Sequence, residues 1–222
     1  MSALKEVTLE LPAKPDAIAA LELGSIVYLN GVVYTARERV YERVLRQHIA
    51  LPDGLAEISN ANFHCSPAAA RQDDGSFSIG GVTATASFRF SKYMAEWLDL
   101  TATKIVIGKG GMPDQDYQQV FAARAAVYLT TVGYGTGALL GRGVVGVEAV
   151  HWLAELGLAQ ALWMFRVKNF GPFLVASDME GNSLFAEHSE IVNRRIQSLY
   201  EGLQAPALHR YGETSDRKKE LI

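Results

Sequence analysis

The sequence predicts an α/β fold, because short β-branched runs alternate with apolar stripes of helical period along a 222-residue chain that is 49% hydrophobic. Two stretches show the alternation most clearly. Lys104 to Gly108 carries Ile105, Val106 and Ile107 in continuous file, the pattern of a strand buried on both faces. Glu38 to Ala50 instead sets Val40, Tyr41, Val44, Leu45 and His48 on one helical stripe. The chain is long enough to bury one substantial core. No internal repeat or low-complexity tract divides it, so one domain over residues 8–203 is expected, followed by a polar tail over 204–222.

In chain order, Thr8 to Pro12 reads as a first edge strand and Ile26 to Tyr34 as a second β stretch, with Asn30-Gly31 marking a hairpin or a bulge. The helix from Glu38 to Ala50 follows, with Thr35 near its start as a possible cap. Phe77 to Phe90 returns to β character, Tyr93 to Leu98 suggests a short helix, and Lys104 to Gly108 is the buried strand. The acidic start at Asp114 suits a helix running to about Ala125. Ala126 to Thr130 reads as a buried strand leading into a glycine-rich loop. The last third suggests a helix from Glu148 to Leu156, strands at Leu162 to Val167 and Phe173 to Ser177, and a turn at Glu180-Gly181-Asn182. A long helix closes the chain, with Val192, Ile196, Leu199 and Leu203 at helical spacing and Arg194, Arg195 and Glu201 toward solvent.

Composition excludes several functions. The formal net charge is −3, with both signs mixed along the chain, so no basic footprint for nucleic acid is present. Ala125 to Gly141 carries no charge, yet it is too short and too glycine-rich for a membrane span and is followed by Arg142. Cys65 is the single cysteine, which excludes an internal disulfide and any cluster or structural zinc held by this chain's thiolates alone. The N-terminal residues carry no apolar signal core, and a reducing, cytoplasmic setting is expected. The five histidines show no metal-ligand spacing and read as core or surface residues.

Chemistry concentrates in three places where an expected strand gives way to a loop. Ile107-Gly108-Lys109-Gly110-Gly111-Met112 ends a β run in glycines around one lysine, so bare amides and a cation face the same loop. It matches neither a nucleotide P-loop nor a dinucleotide fingerprint, and it suits a small anion or, more plainly, a solvated turn. Tyr34-Thr35-Ala36-Arg37 and Thr83-Ala84-Thr85-Ala86-Ser87-Phe88-Arg89 are the other two. Two arginines and a lysine meeting at strand ends would clamp a dicarboxylate, since guanidinium groups bind carboxylates bidentately. Each cation alone is as readily a surface residue. Together, Arg37, Arg89 and Lys109 are expected to share one cleft.

These three segments, with Val167-Lys168-Asn169-Phe170-Gly171-Pro172-Phe173, resemble the β subunit, or C-terminal domain, of the iron-sulfur class I fumarases and L-tartrate dehydratases, from about Thr8 to Leu203. The resemblance implies a single swivelling β/β/α domain. It implies a hydro-lyase that adds or removes water on a small dicarboxylate of the fumarate, malate or tartrate type. It also implies a separate α subunit carrying a 4Fe-4S cluster on three cysteines, one iron being open to substrate, and an α2β2 assembly without membrane or nucleic-acid partners. Carried over residue by residue, Arg37, Arg89, Lys109 and Gly110 fall at substrate-binding positions and Thr85 at the catalytic one. A threonine hydroxyl is too weak a base to take a carbon-bound proton unaided, so a partner-chain carboxylate would have to assist it.

The sequence departs from the family pattern at Thr83 to Phe90, which lacks the usual glycine, proline and second threonine and places Phe88 where a small residue is usual. If that segment were a strand, alternation would set Thr85, Ser87 and Arg89 on one face and bury Phe88 on the other. Arg37-Glu38 also lacks the usual aspartate beside the arginine. A non-catalytic binding or assembly module that retains the fold and an anion pocket is the alternative.

Overall fold

The computed structural model describes residues 4–133 and 135–199. The expected tail over 204–222, with Leu203 and Glu201, lies outside them. The chain divides into two compact units, Met1–Phe185 and Ala186–Ile222. In the second unit, the described residues from Ala186 are the continuation of a helix that starts in the first.

The elements run β1 (Glu6–Glu10), α1 (Pro15–Ala19), β2 (Ile26–Thr35), α2 (Glu38–Tyr41) with a π-helical turn to Arg46, α3 (Leu55–Ile58), β3 (Ala61–Phe63), β4 (Cys65–Arg71) and β5 (Phe77–Ala84). After a 3₁₀ turn at Phe88–Phe90 come α4 (Ser91–Thr101), β6 (Ile105–Gly108), α5 (Asp114–Asp116) with helical turns to Arg124, and β7 (Val127–Thr131). Then follow α6 (Gly137–Gly143), β8 (Val144–His151), α7 (Leu153–Leu156), β9 (Leu162–Ser177) and α8 (Leu184–Leu199).

The main sheet has the order β1-β2-β3-β6-β7-β9-β8, and β9 also pairs with β2, so five of its strands close into a ring. Strands β1, β2, β3, β6 and β7 run parallel, while β9 is antiparallel to β2, β7 and β8. Because strand side chains alternate, β6 feeds two cores. Ile105 and Ile107 join Val27, Phe63, Leu129 and Phe173 in one, and Val106 joins Tyr41, Trp97 and Tyr128 beneath α2 and α4 in the other. The parallel strands all end on the side where residues 36–37, 64 and 109–112 emerge, and β4–β5 form a separate two-stranded sheet beside that end.

The α/β alternation is as expected, and β1, β6, β7 and α4 fall close to their expected places. Several expectations are corrected. The β character assigned to Phe77 to Phe90 stops at Ala84, beyond which the backbone turns. The helix from Glu38 stops at Arg46, not Ala50, and Thr35 does not cap it: its hydroxyl accepts from Trp163 N at 3.0 Å and faces the Ala161 carbonyl at 3.2 Å. Asn30-Gly31 is a bulge within continuous β2, where the register against β9 shifts. The two expected C-terminal strands are one, because Asn169 to Pro172 stays within β9.

The helix expected over Glu148 to Leu156 is a strand, β8, followed by the single turn α7. Register shifts at Val144/Gly146 and Val147/Ala149 break the period of two that would have revealed it. The glycine-rich loop contains a helix instead, α6, whose glycines let it press on β5: a Cβ at Gly141 would lie 2.7 Å from Gly81 Cα and 2.9 Å from the Gly80 carbonyl.

That contact sets a prediction. In an open helix Gly→Ala stabilises by about 1 kcal/mol. Here the methyl meets backbone, so Gly141→Ala is expected to lower stability by about 1–3 kcal/mol in urea unfolding. A stabilised variant would show that α6 does not bear on β5.

Candidate functional site

Three backbone segments are laced together where β3, β5 and β6 end. His64 N donates to the Ile107 carbonyl at 2.8 Å, and Thr85 N donates to the His64 carbonyl at 2.7 Å. Lys109 N donates to the Thr85 carbonyl at 3.1 Å, and Ser87 N reaches the Lys109 carbonyl at 3.4 Å, forming a parallel bridge between Ala86 and Lys109. Residues 85–87 therefore act as a short extra strand beside the start of the glycine loop. This brings Thr85 and Lys109 together, although they are far apart in sequence.

Beneath the lacing lies a buried polar chain. Asn62 Nδ2 donates to the Tyr41 hydroxyl at 2.8 Å, Tyr41 pairs with His64 Nε2 at 2.7 Å, and His64 Nδ1 pairs with Ser87 Oγ at 2.7 Å. The Tyr128 hydroxyl donates to the same Ser87 oxygen at 2.7 Å. All five side chains are fully buried, where unmet polar groups are costly, so the chain fixes the position of Ser87. Burial, with Arg89 and then Arg37 nearby, lowers the His64 pKa to about 3, so the imidazole is neutral. Burial likewise raises the pKa values of Tyr41 and Tyr128.

Gly108 is glycine for a reason distinct from ligand approach. A Cβ there would lie 1.9 Å from Ser87 Oγ and 2.7 Å from the Tyr128 hydroxyl. Gly110, by contrast, adopts a left-handed φ of +71° in open space, leaving its backbone accessible. Tyr117 supports the loop from below by accepting from Met112 N at 2.7 Å.

Lys109 is exposed and lines two cavities. One, of about 370 Å³, is shared with Thr83, Thr131, Gly133 and Thr136. The other, of about 500 Å³, is shared with Phe88, Gly110, Gly111, Thr130 and Phe185. Arg37, Thr85 and Arg89 do not line these cavities. Arg37 stands at the start of α2, with Nη1 donating to Ser66 Oγ and, at 2.9 Å, to the Ala159 carbonyl, while its Nε is buried without a partner. Its pKa is lowered, by burial first and then by repulsion from Arg89, so the two guanidinium groups share a field. Arg89 is exposed, with its guanidinium 5.1 Å above the Phe90 ring. Other cations, such as Arg46, Arg124 and Arg166, meet carboxylates, whereas among the described residues Arg37, Arg89 and Lys109 are in no salt bridge. Arg37 and Arg89, close enough to repel and in no salt bridge, suit an anionic ligand.

Phe88 corrects an expectation. It is 63% exposed, not buried, because residues 85–87 bridge to Lys109 and the chain then enters the 3₁₀ turn, so strand alternation does not extend this far. Ser87, expected on the open face with Thr85, is the buried residue instead. The His64–Ser87 pairing was not anticipated; the one available signal was Ser87 lying between Thr85 and Arg89. Cys65 is buried with a raised pKa, as suits a small core residue. Among the described residues no group of three histidine, cysteine or acidic side chains could hold a metal ion. With a single cysteine in the whole sequence, the donors here do not fit an iron-sulfur cluster.

A family model described as fumarase C-terminus matches residues 1–188. A Methanocaldococcus jannaschii protein named for the β subunit of L(+)-tartrate dehydratase is 34% identical over 197 residues, 87% of this chain and 98% of that one. The L(+)-tartrate dehydratase subunit beta of Escherichia coli is 31% identical over 195 residues, 87% of this chain and 93% of its own. A Geobacillus stearothermophilus protein named for a class I fumarate hydratase is 31% identical over 193 residues, 87% of this chain but 35% of that longer one.

Two predictions follow from the buried chain. Gly108→Ala is expected to destabilise by about 2 kcal/mol or more, and less in a Ser87→Ala background, giving a coupling of about 1 kcal/mol in a double-mutant cycle. Additive losses would place the clash elsewhere. Between about pH 6.5 and pH 5 the unfolded state binds a proton at residue 64 that the folded state does not. Stability from this group is therefore full above pH 6.5 and falls as pH drops, by about 1.4 kcal/mol per unit. His64→Gln should remove that slope in denaturant titrations, and an unchanged slope would mean that His64 titrates normally.

Proposed function

Because the chain belongs to the fumarase C-terminus family, we propose that it is the β subunit of a two-chain hydro-lyase of the tartrate dehydratase and class I fumarase type. Its substrate is a small dicarboxylate. Its partner is an α subunit that carries a 4Fe-4S cluster, the two chains forming an α2β2 enzyme in the cytoplasm. The single-cysteine sequence supports assigning the cluster to the partner.

Within this reading, Lys109 and the open Gly110 amide receive one carboxylate, with a point charge and a backbone donor in the same loop. Arg89 acts on the other, with the nearby Arg37 guanidinium adding to the positive field there. Thr85 is the proton-transfer position: its backbone is fixed between His64 and Lys109, which sets the two residues side by side. A carboxylate from the partner chain would make that hydroxyl basic enough to act. Neutral His64 holds Ser87 without adding a fourth positive charge beneath the site. The observation that carries the proposal is the bridge joining Thr85 to Lys109, since it unites the catalytic and anion-binding positions in one rigid unit.

The test is anaerobic co-expression with the partner, followed by assays of fumarate, malate and tartrate for hydration or dehydration. Turnover of at least one is expected. Assembly of the two chains without turnover of any dicarboxylate would favour a non-catalytic module. In the active complex, Lys109→Ala and Arg89→Ala should each change stability by less than about 1 kcal/mol, because both side chains are exposed. Each should lower kcat/KM by about 100-fold or more, the scale of losing a charge partner to a bound carboxylate. Unfolding with activity per folded molecule intact would make them structural.

A further inference from the structure

The cavity over the glycine loop has two unlike walls. Lys109, Gly110, Thr130 and Thr131 line it on a polar side, and Phe88, Leu174 and Phe185 on an apolar one. Phe88 is 63% exposed and Phe185 is 43% exposed. Among the described residues, the phenylalanines of the two cores, such as Phe63, Phe90 and Phe173, are fully buried. The Phe185 ring lies against the loop itself, since a Cβ at Gly111 would come within 3.3 Å of it. Phe88 is held in this position by the turn that follows the Ala86–Lys109 bridge, so its exposure is built into the same backbone unit as the anion site.

An unsubstituted four-carbon dicarboxylate is charged at both ends and offers almost no apolar surface. With one carboxylate at Lys109 on the polar side of a cavity of about 500 Å³ and the other directed out of it toward Arg89, it would leave two aromatic rings in water. Sites of this shape are filled by ligands that bury an apolar part against the apolar wall and fix a polar end with a few placed groups. We infer that Phe88 and Phe185 select a dicarboxylate bearing an apolar substituent of several carbons on its skeleton. This rests on the hydro-lyase reading above and names its substrate class. The reaction is unchanged by the substituent: water adds across the double bond, hydroxyl to one carbon and proton to the other, or leaves in reverse.

The experiment uses the assembled two-chain enzyme with fumarate and a series of alkylfumarates from methyl to butyl. The kcat/KM relative to fumarate is expected to rise with chain length, by about fourfold per methylene buried. Phe88→Ala and Phe185→Ala should each lower the butyl-to-fumarate ratio about tenfold or more, and Phe88→Leu should retain most of it. A ratio that does not rise with length, while fumarate is turned over, overturns this inference and leaves the hydro-lyase reading standing. So does a ratio that increases in Phe88→Ala, which would make the ring a barrier. An equal loss on all substrates with weakened association of the two chains would make Phe88 a subunit contact and overturns it as well. Failure on every dicarboxylate removes the reading and the inference together.

Discussion

The Ser87 hydroxyl occupies the space that any side chain at residue 108 would need, and the candidate site is organised around that exclusion. The hydroxyl cannot move away, because His64 and Tyr128 hold it from two sides in a fully buried chain of hydrogen bonds. With Ser87 fixed, its backbone and that of Ala86 lie alongside Lys109, and β6 can continue into the glycine loop only if residue 108 has no Cβ. Packing in the core thus decides where the glycine loop begins. The glycine is demanded from inside the protein, whereas Gly110, in open space with positive φ, faces outward.

The same arrangement sets the electrostatics. A charged histidine below Arg37 and Arg89 would repel both, and burial keeps His64 neutral instead. What remains is a group of cations that the chain does not neutralise internally, in contrast to Arg124 with Asp99 or Arg46 with Glu96. Arg37 is the most constrained of them, tied to Ser66 and the Ala159 carbonyl, with a buried donor left over. Arg89 and Lys109 are exposed and free to follow a ligand. Such a division between a positioned cation and mobile ones suits a ligand that must be both oriented and released.

Legibility in the sequence followed physical cause. Strands that are continuous and buried, β6 and β7, showed as unbroken apolar runs, and Lys109 stood out because its loop follows directly from one of them. The failures have a common origin in contacts between distant segments. β8 was hidden by register shifts that only its pairing with β9 explains, and α6 by glycines chosen for close approach to β5. Arg89 was marked by its place at an expected strand end, and Thr85 through resemblance. The conformation of their segment depends on a bridge to Lys109 that no local rule reveals, so Phe88 was assigned to the wrong side and Ser87's burial was missed. No helix among the described residues is long and apolar enough to cross a membrane.

The central claim is that the unit formed by residues 85–89 and 108–111, with Arg37, holds the substrate carboxylates. A crystal structure of the assembled two-chain protein with a non-reacting dicarboxylate analogue tests it most directly. The account predicts one carboxylate within hydrogen-bond distance of Lys109 Nζ and the Gly110 amide, and the other on the guanidinium of Arg89 or Arg37. A fully occupied analogue bound with none of these groups in contact would contradict it.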